Sequence, residues 1–205
     1  TSKLWAMGLP DGASGYEYAL QEAEKSLRRL GTYLDLYLIH SPHHPSARLD
    51  MWRALVELKQ SGRVRSIGVS NYGSHHIDEI IASGSSVVPA VNQVEVHPFL
   101  LRDELAEYCL AKGIWVEAYS PLAKARKMDD PTLARVAAKH RRSVAQVLIR
   151  FSLQKGYITL PKSENPKRIV DNANVFDFEL PLEDVQALNS LDIHLVTGWD
   201  PTVSP

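Results

Sequence analysis

Apolar and polar positions change period in a regular way along the chain. Between 16 and 30, Leu20, Ala23, Leu27 and Leu30 recur at spacings of three and four, which predicts a helix with one apolar face, closed by Gly31. The next stretch, 34–42, reads LDLYLIHSP. Five of its first six residues are apolar, the pattern of a parallel strand buried on both faces. Pro42 cannot continue a ladder and stops it. The alternation then repeats. Helices are predicted at 49–60, with Trp52, Leu55 and Val56 on one face, and at 74–82, 101–112, 131–139, 143–155, 165–174 and 181–191. Strands are predicted at 64–70, 90–95, 114–119 and 157–160, and the first residues, TSKLW, read as a short strand end. Ser143 and Gln146 have the spacing of a capping box. Stretch 191–205 has no period and carries Pro201 and Pro205.

Strand and helix in strict alternation, with short connections and no linker, predict a single α/β domain over 1–205. Two architectures are compatible with it: an open doubly wound sheet and a closed β/α barrel. No G-x-G-x-x-G follows any strand, which weakens the first. Polar residues stand at nearly every strand end: Lys3, His40, Ser70 and Asn71, Asn92 and Gln93, Tyr119 and Ser120, Lys162 and Ser163. A barrel mouth requires such a ring. Six strands are counted, where a barrel has eight, so about six of the eight β/α units are expected here. The chain is read as truncated at its N-terminus by two units, roughly 60–75 residues.

Composition changes this picture little. The 205 residues are 44% hydrophobic and 23% charged, with a net charge of −1. That gives no electrostatic case for nucleic acid or an anionic membrane. No run approaches a membrane span. The one cysteine, Cys109, is read as core packing; it rules out an intrachain disulfide and a cysteine metal cluster, and fits a reducing, cytoplasmic setting. No metal site is expected. His40, at the carboxyl end of a buried strand, has two readings on its own: a core histidine satisfied by a hydrogen bond, or a group that carries chemistry.

The segments TSKLW, EKSLRRLGTYLDLYLIHSP, GRVRSIGVSNY, PAVNQVEVHP, AYSPL and LPKSENPKRIVDN resemble, in this order and spacing, the aldo-keto reductase family over about the whole chain. The resemblance implies a TIM-type (β/α)8 barrel that binds NADPH and reduces aldehydes and ketones to alcohols. The family's catalytic set is a tyrosine, a lysine, a histidine and an aspartate. The lysine falls on Lys3 and the histidine on His40; the tyrosine and aspartate would lie in the expected upstream segment. Asp11 and Tyr16 share the family spacing of five, but they follow Lys3 and open a helix, so they are read as a decoy. In such a site a tyrosine hydroxyl protonates the carbonyl oxygen as hydride arrives. A lysine ammonium lowers the phenol's pKa, and a histidine N–H orients the carbonyl.

The resemblance further assigns Ser70, Asn71 and Gln93 to the nicotinamide amide and Tyr119 to stacking on its ring. Ser120 and Leu122 match the pyrophosphate loop, although Ala123 and Lys124 replace the usual Gly-x-Ser. Lys124, Arg126 and Lys127 are either phosphate ligands or a solvated loop. Lys162, Ser163, Asn165, Arg168, Asp171 and Asn172 match the adenosine end, with Lys162 and Arg168 on a ribose 2′-phosphate, which favours NADPH over NADH. Trp5 and Ser41 match the substrate pocket, with Ser41 standing where many members carry tryptophan, and Val196 and Trp199 of the tail are read as its cover. The expected partner is a small carbonyl compound, along with another chain or the upstream segment completing the barrel. Two alternatives stand beside the enzyme: a non-catalytic NADP-binding subunit and an inactive fragment.

Overall fold

Six parallel strands form one sheet in sequence order, β1 (Ser2–Leu4), β2 (Leu34–Ile39), β3 (Val64–Ser70), β4 (Val91–Glu95), β5 (Trp115–Tyr119) and β6 (Ile158–Leu160). Between and after them lie eight helices: α1 (Gly15–Leu30), α2 (Arg48–Gln60), α3 (Ser74–Ala82), α4 (Asp103–Ala111), α5 (Pro131–His140), α6 (Val144–Gln154), α7 (Pro166–Ala173) and α8 (Leu182–Asn189). The computed structural model describes all residues from Thr1 to Pro205. The predicted alternation is therefore present, with helix and strand ends moved by one or two residues. Three short 3-10 turns, Ala6–Gly8, Ala123–Ala125 and Pro201–Val203, had no periodic signal to announce them. No helix is long and apolar enough to cross a membrane.

The chain divides into two compact units. The first comprises Thr1–Gln93, Leu105–Trp115 and Asp200–Pro205. In it Tyr37, Leu38, Ile39, Ile67 and Val69 fill the sheet, and Met51, Trp52 and Leu55 cover it from α2. The strand β2 is not buried on both faces throughout: Asp35 is exposed and pairs with Arg65 at 2.7 Å. Helix α1 also departs from the predicted face. It buries Gly15, Ala19 and Ala23, whereas Leu30 is 52% exposed. The reason is close packing, which selects small residues: a Cβ on Gly15 would lie 2.8 Å from the Ala47 carbonyl oxygen. Leu30 falls in the last turn, which Gly31 ends in the left-handed region (φ 67).

The tail of this unit, Asp200–Pro205, is held against α2 and α3. His76 Nδ1 accepts the Gly73 N–H (2.9 Å), so its Nε2 carries the proton and donates to the Ser204 carbonyl (2.9 Å). His75 Nε2 lies 2.9 Å from the same oxygen. The buried Arg48 donates to the Pro42 and Pro205 carbonyls, both at 3.1 Å, and forks onto Glu79. Gly73 is needed for this approach, because a Cβ there would sit 2.1 Å from the Thr202 carbonyl oxygen.

The second unit comprises Val94–Glu104 and Val116–Trp199. Its core joins Phe99 and Leu101 to Leu133, Val136, Val147, Leu148 and Phe151. Helix α6 opens with the predicted capping box of Ser143 and Gln146. Strand β6 is the last of the sheet, and Ile158 and Leu160 on it are both exposed. Buried Glu95 anchors the segment before the tail: it accepts the Thr197 N–H and hydroxyl, and His97 Nε2 at 3.3 Å. Burial pushes the Glu95 carboxyl up, but the hydrogen bonds from His97 and Thr197 outweigh it and hold the group below its ordinary range.

Candidate active site

In the first unit, register brings the strand ends level. Leu4 pairs with Ile39, Ile39 with Val69, Val69 with Asn92 and Ser70 with Gln93. The parallel ladder continues one residue further: the His40 N–H donates to the Leu4 carbonyl (2.9 Å) and the Asn71 N–H to the Gln93 carbonyl (2.9 Å). Lys3, His40, Ser70, Asn71 and Gln93 thus share the carboxyl edge of four adjacent strands. Asn71 can close its strand there because it adopts φ 61, a left-handed conformation that asparagine tolerates better than most residues.

The side chains interlock. Ser70 Oγ donates to the Gln93 carbonyl (2.8 Å), and Asn71 Nδ2 donates to the His40 carbonyl (3.0 Å) and to Ser70 Oγ (3.1 Å). Lys3 Nζ donates to Gln93 Oε1. Burial, and secondarily the Lys3 ammonium, push His40 down to about 4, so the ring is neutral at pH 7 and carries one N–H donor. Trp5 meets the His40 ring edge-on, with centroids 5.0 Å apart. Ser41, predicted to line a substrate pocket, is fully buried, and its hydroxyl has no hydrogen-bond partner. Ser70, Asn71 and Gln93 are buried too. Three buried polar side chains at strand ends are a costly arrangement unless they serve as ligands or satisfy each other.

In the second unit, Tyr119 ends β5 half-buried and Ser120 turns left-handed (φ 52). Leu122 then leads into Ala123, Lys124 and Ala125, all left-handed (φ 48, 49 and 61). The usual family glycine would adopt this turn freely; these residues strain to do so. The loop cations are not simply solvated. Lys124 Nζ donates to the Thr197 carbonyl (3.4 Å), and Lys127 lies 5.9 Å from the centre of the Phe99 ring. Beyond β6, Lys162 is exposed and paired with Glu164 at 2.6 Å. Asn165 caps α7 through Arg168 N–H (3.1 Å), and Ser163 Oγ in turn accepts the Asn165 N–H (3.2 Å). Arg168 is exposed, while Asp171 and Asn172 are half-buried.

A sequence model described as the aldo/keto reductase family matches residues 2–193. The chain belongs to the aldo/keto reductase family. By family it is an oxidoreductase. The glyoxal reductase of Bacillus subtilis is 46% identical over 202 residues, covering 98% of this chain and 71% of that protein. Among solved structures, Gox0644 in its apo form superposes with a TM-score of 0.90 at 42% identity, covering 100% of this chain and 74% of the other. The Bombyx mori aldo-keto reductase in complex with NADP gives 0.85 at 35% identity, covering 96% and 68%. The parallel strands with helices between them are the α/β architecture of these aldo-keto reductases.

For this aldo-keto reductase the tyrosines bear on the proton donor. Tyr16, Tyr18, Tyr37, Tyr72 and Tyr108 are all shifted upward. The decoy Tyr16 is raised first by its hydrogen bond to Glu57, on the helix layer. Burial raises Tyr18, takes Tyr37 to about 12, and raises Tyr72 and Tyr108. None of these shifts shows the downward pull that a lysine gives a catalytic phenol. Two features of the aldo-keto reductase had no signal in the pattern: the Lys3–Gln93 bond and the hold of Glu95 on Thr197. Glu95, the one charged residue of the strand VNQVE, was the only hint of the second.

Proposed function

We propose that this protein takes part in NADPH-dependent reduction of small aldehydes and ketones. The observation that carries this is the buried cluster of Ser70, Asn71 and Gln93 beside Lys3 and a neutral His40. The cluster fits a nicotinamide carboxamide chemically. Asn71 turns its NH2 onto the His40 carbonyl and Ser70 Oγ. Gln93 turns its oxygen onto Lys3. Two primary amides and a hydroxyl carry both donors and acceptors, the set that a carboxamide complements. Tyr119 would stack on the nicotinamide ring and Ser120 and Leu122 would take the pyrophosphate. Lys162 and Arg168 would take the 2′-phosphate, with Ser163, Asn165, Asp171 and Asn172 around the adenosine. The cofactor, when bound, supplies hydride.

The chain's own residues do the rest. Neutral His40 donates its N–H to the substrate carbonyl, orienting it and stabilising charge on oxygen as the carbon is reduced. Lys3 raises the acidity of the phenol that gives up the proton. Trp5 walls the substrate side. On this reading that phenol and its aspartate partner are not among these 205 residues, and the upward shifts of Tyr16, Tyr18, Tyr37, Tyr72 and Tyr108 speak against those five as the donor. They favour a second reading for the 205 residues alone: cofactor binding without efficient turnover. A single cysteine, buried and bonded to Asn92, suits a cytoplasmic protein.

The test is to titrate NADPH by its fluorescence and to follow its oxidation with glyoxal, methylglyoxal and benzaldehyde. Binding with turnover supports the enzyme. Binding with rates reduced by about 10²–10⁴-fold relative to an intact family member supports the second reading. Absence of binding overturns both.

A further inference from the structure

We propose that Gln146, a residue of α6 outside those assigned to the cofactor, is the positioning residue of α7 and thereby sets how tightly α7 receives a nucleotide. The inference rests on the cofactor reading above, in which α7 carries Arg168, Asp171 and Asn172. Helix α7 is eight residues long and buries none of them. A helix so short is marginal by itself, so α7 depends on how its two ends are held. Asn165 holds the first turn by accepting the Arg168 N–H (3.1 Å). The last turn is held from α6. Gln146 Nε2 donates to the carbonyls of Asp171 (3.3 Å) and Asn174 (2.9 Å), at the end of a helix where carbonyls lack intrahelical partners.

The direction of this amide is settled at both of its ends. Its oxygen accepts the Ser143 N–H (3.0 Å), a group that only donates, and its NH2 faces two carbonyls, which only accept. One side chain thus joins the capping box of α6 to the end of α7. It also begins a stripe. Positions 146, 150 and 154 recur every four residues on α6, beside the buried Val147, Leu148 and Phe151. Arg150 donates to the Val175 carbonyl (3.3 Å). Gln154 accepts the Leu180 N–H (2.8 Å) and donates to the Leu180 carbonyl (2.9 Å). The stripe fixes the chain between α7 and α8, and Gln146 is the member of it that reaches α7. Without that amide the last turn of α7 frays, and Asp171 and Asn172 lose their place.

Three variants separate the tether from the cap. Gln146→Glu keeps an oxygen for the Ser143 N–H, in a residue type that suits a capping box, but has no N–H for the two carbonyls. Gln146→Met has neither group and brings no charge. Ser143→Ala removes the hydroxyl half of the box and leaves the tether. The urea midpoint, amide exchange of residues 169–175 and calorimetric affinity for 2′,5′-ADP are measured for the wild type and each variant. Both Gln146 variants should exchange faster over 169–175 and bind 2′,5′-ADP about five- to tenfold more weakly, the size of one hydrogen bond. Gln146→Glu should keep the wild-type midpoint. Ser143→Ala should lower the midpoint and leave exchange and affinity unchanged. Three results would each overturn the inference and leave the cofactor reading intact: wild-type exchange in Gln146→Met, an affinity loss confined to Gln146→Glu, where the new charge repels the phosphates, or an equal affinity loss in Ser143→Ala. A wild type that does not bind 2′,5′-ADP overturns the cofactor reading and this inference with it.

Discussion

On the proposed cofactor reading, single residues at the adenosine end would decide between cofactors by charge. Lys162 is held by Glu164 at 2.6 Å and Arg168 stands exposed on α7. A 2′-phosphate would compete with Glu164 for Lys162 and meet the Arg168 guanidinium as a fork of donors. Replacing Arg168 with Ala should weaken NADPH binding and leave NADH binding nearly unchanged. A buried charge-assisted contact is worth about 1.5–3 kcal/mol, but solvent screens an exposed arginine, so the selective loss should be about tenfold. Equal losses for the two cofactors would remove Arg168 as the phosphate ligand. Glu164→Gln should act in the opposite direction, tightening NADPH by a few-fold at low salt, an effect that fades as salt screens the pair. The polar strand ends were legible in the sequence because such groups stand out from apolar strands; their assignment to a cofactor, and that of Arg168, Asp171 and Asn172 on α7, came from the family resemblance. The pairing of the strand ends was not legible: nothing in the local pattern of Lys3 or Gln93 says that they touch.

Whole elements were legible where the signal is local. The capping box at Ser143 and Gln146 and the glycine closing α1 are both present, since a cap depends on residues a few positions apart. Features held by distant residues were not. The turn Ala123–Ala125 is one of them, left-handed without a glycine. Ala125 is exposed at φ 61, so Ala125→Gly should relieve strain at no cost in contacts. The expected gain is about 0.5–1 kcal/mol, since the left-handed penalty of about 1–2 kcal/mol exceeds the entropy that glycine adds to the unfolded chain. It would be read as a higher urea midpoint at unchanged slope; a lower midpoint would mean that the turn is not strained. The segment around Thr197 makes the opposite case. Its N–H and hydroxyl both serve the buried Glu95 carboxylate. Thr197→Val keeps the shape and removes one donor from a buried charge, which should cost about 1.5–3 kcal/mol. Amide exchange of residues 195–199 should speed up well before the core of α5 and α6 is affected. Unchanged exchange there would show that the hydroxyl contributes nothing to the hold.

At the scale of the whole molecule, stability should depend on acid chiefly through His40 and His76, with His43 lowered by burial in the same direction. His40 and His76 are both brought from 6.5 down to about 4. For each, burial is the main cause. Lys3 adds to it at His40, and His75 and Arg48 add to it at His76, against opposing contributions from the Ser204 carbonyl and Glu79. Geometry gives His76 a further reason to stay neutral: its Nδ1 accepts the Gly73 N–H at the start of α3, and a proton there would break that bond. Above pH 6.5 both rings are neutral, folded or unfolded, and their contribution is fully present. Below it the unfolded chain takes up protons that the folded one refuses, so stability falls with pH until the folded rings titrate near 4. At about 1.4 kcal/mol per pKa unit the ceiling is about 3 kcal/mol for each ring, less for His40, which is partly open to solvent. Glu95 works in the same direction further down, because its lowered carboxyl must be protonated against His97 and Thr197. Urea unfolding at pH 7.5, 6.0, 5.0 and 4.5 should show the decline start near 6.5. In His76→Gln, which can hydrogen-bond but cannot take a proton, the slope between pH 6.5 and 4 should be shallower by about half, and protease cleavage within 200–205 should no longer rise with acid. If His76→Gln keeps the full wild-type slope, the acid sensitivity lies in other groups and the hold of His76 on Ser204 is indifferent to pH.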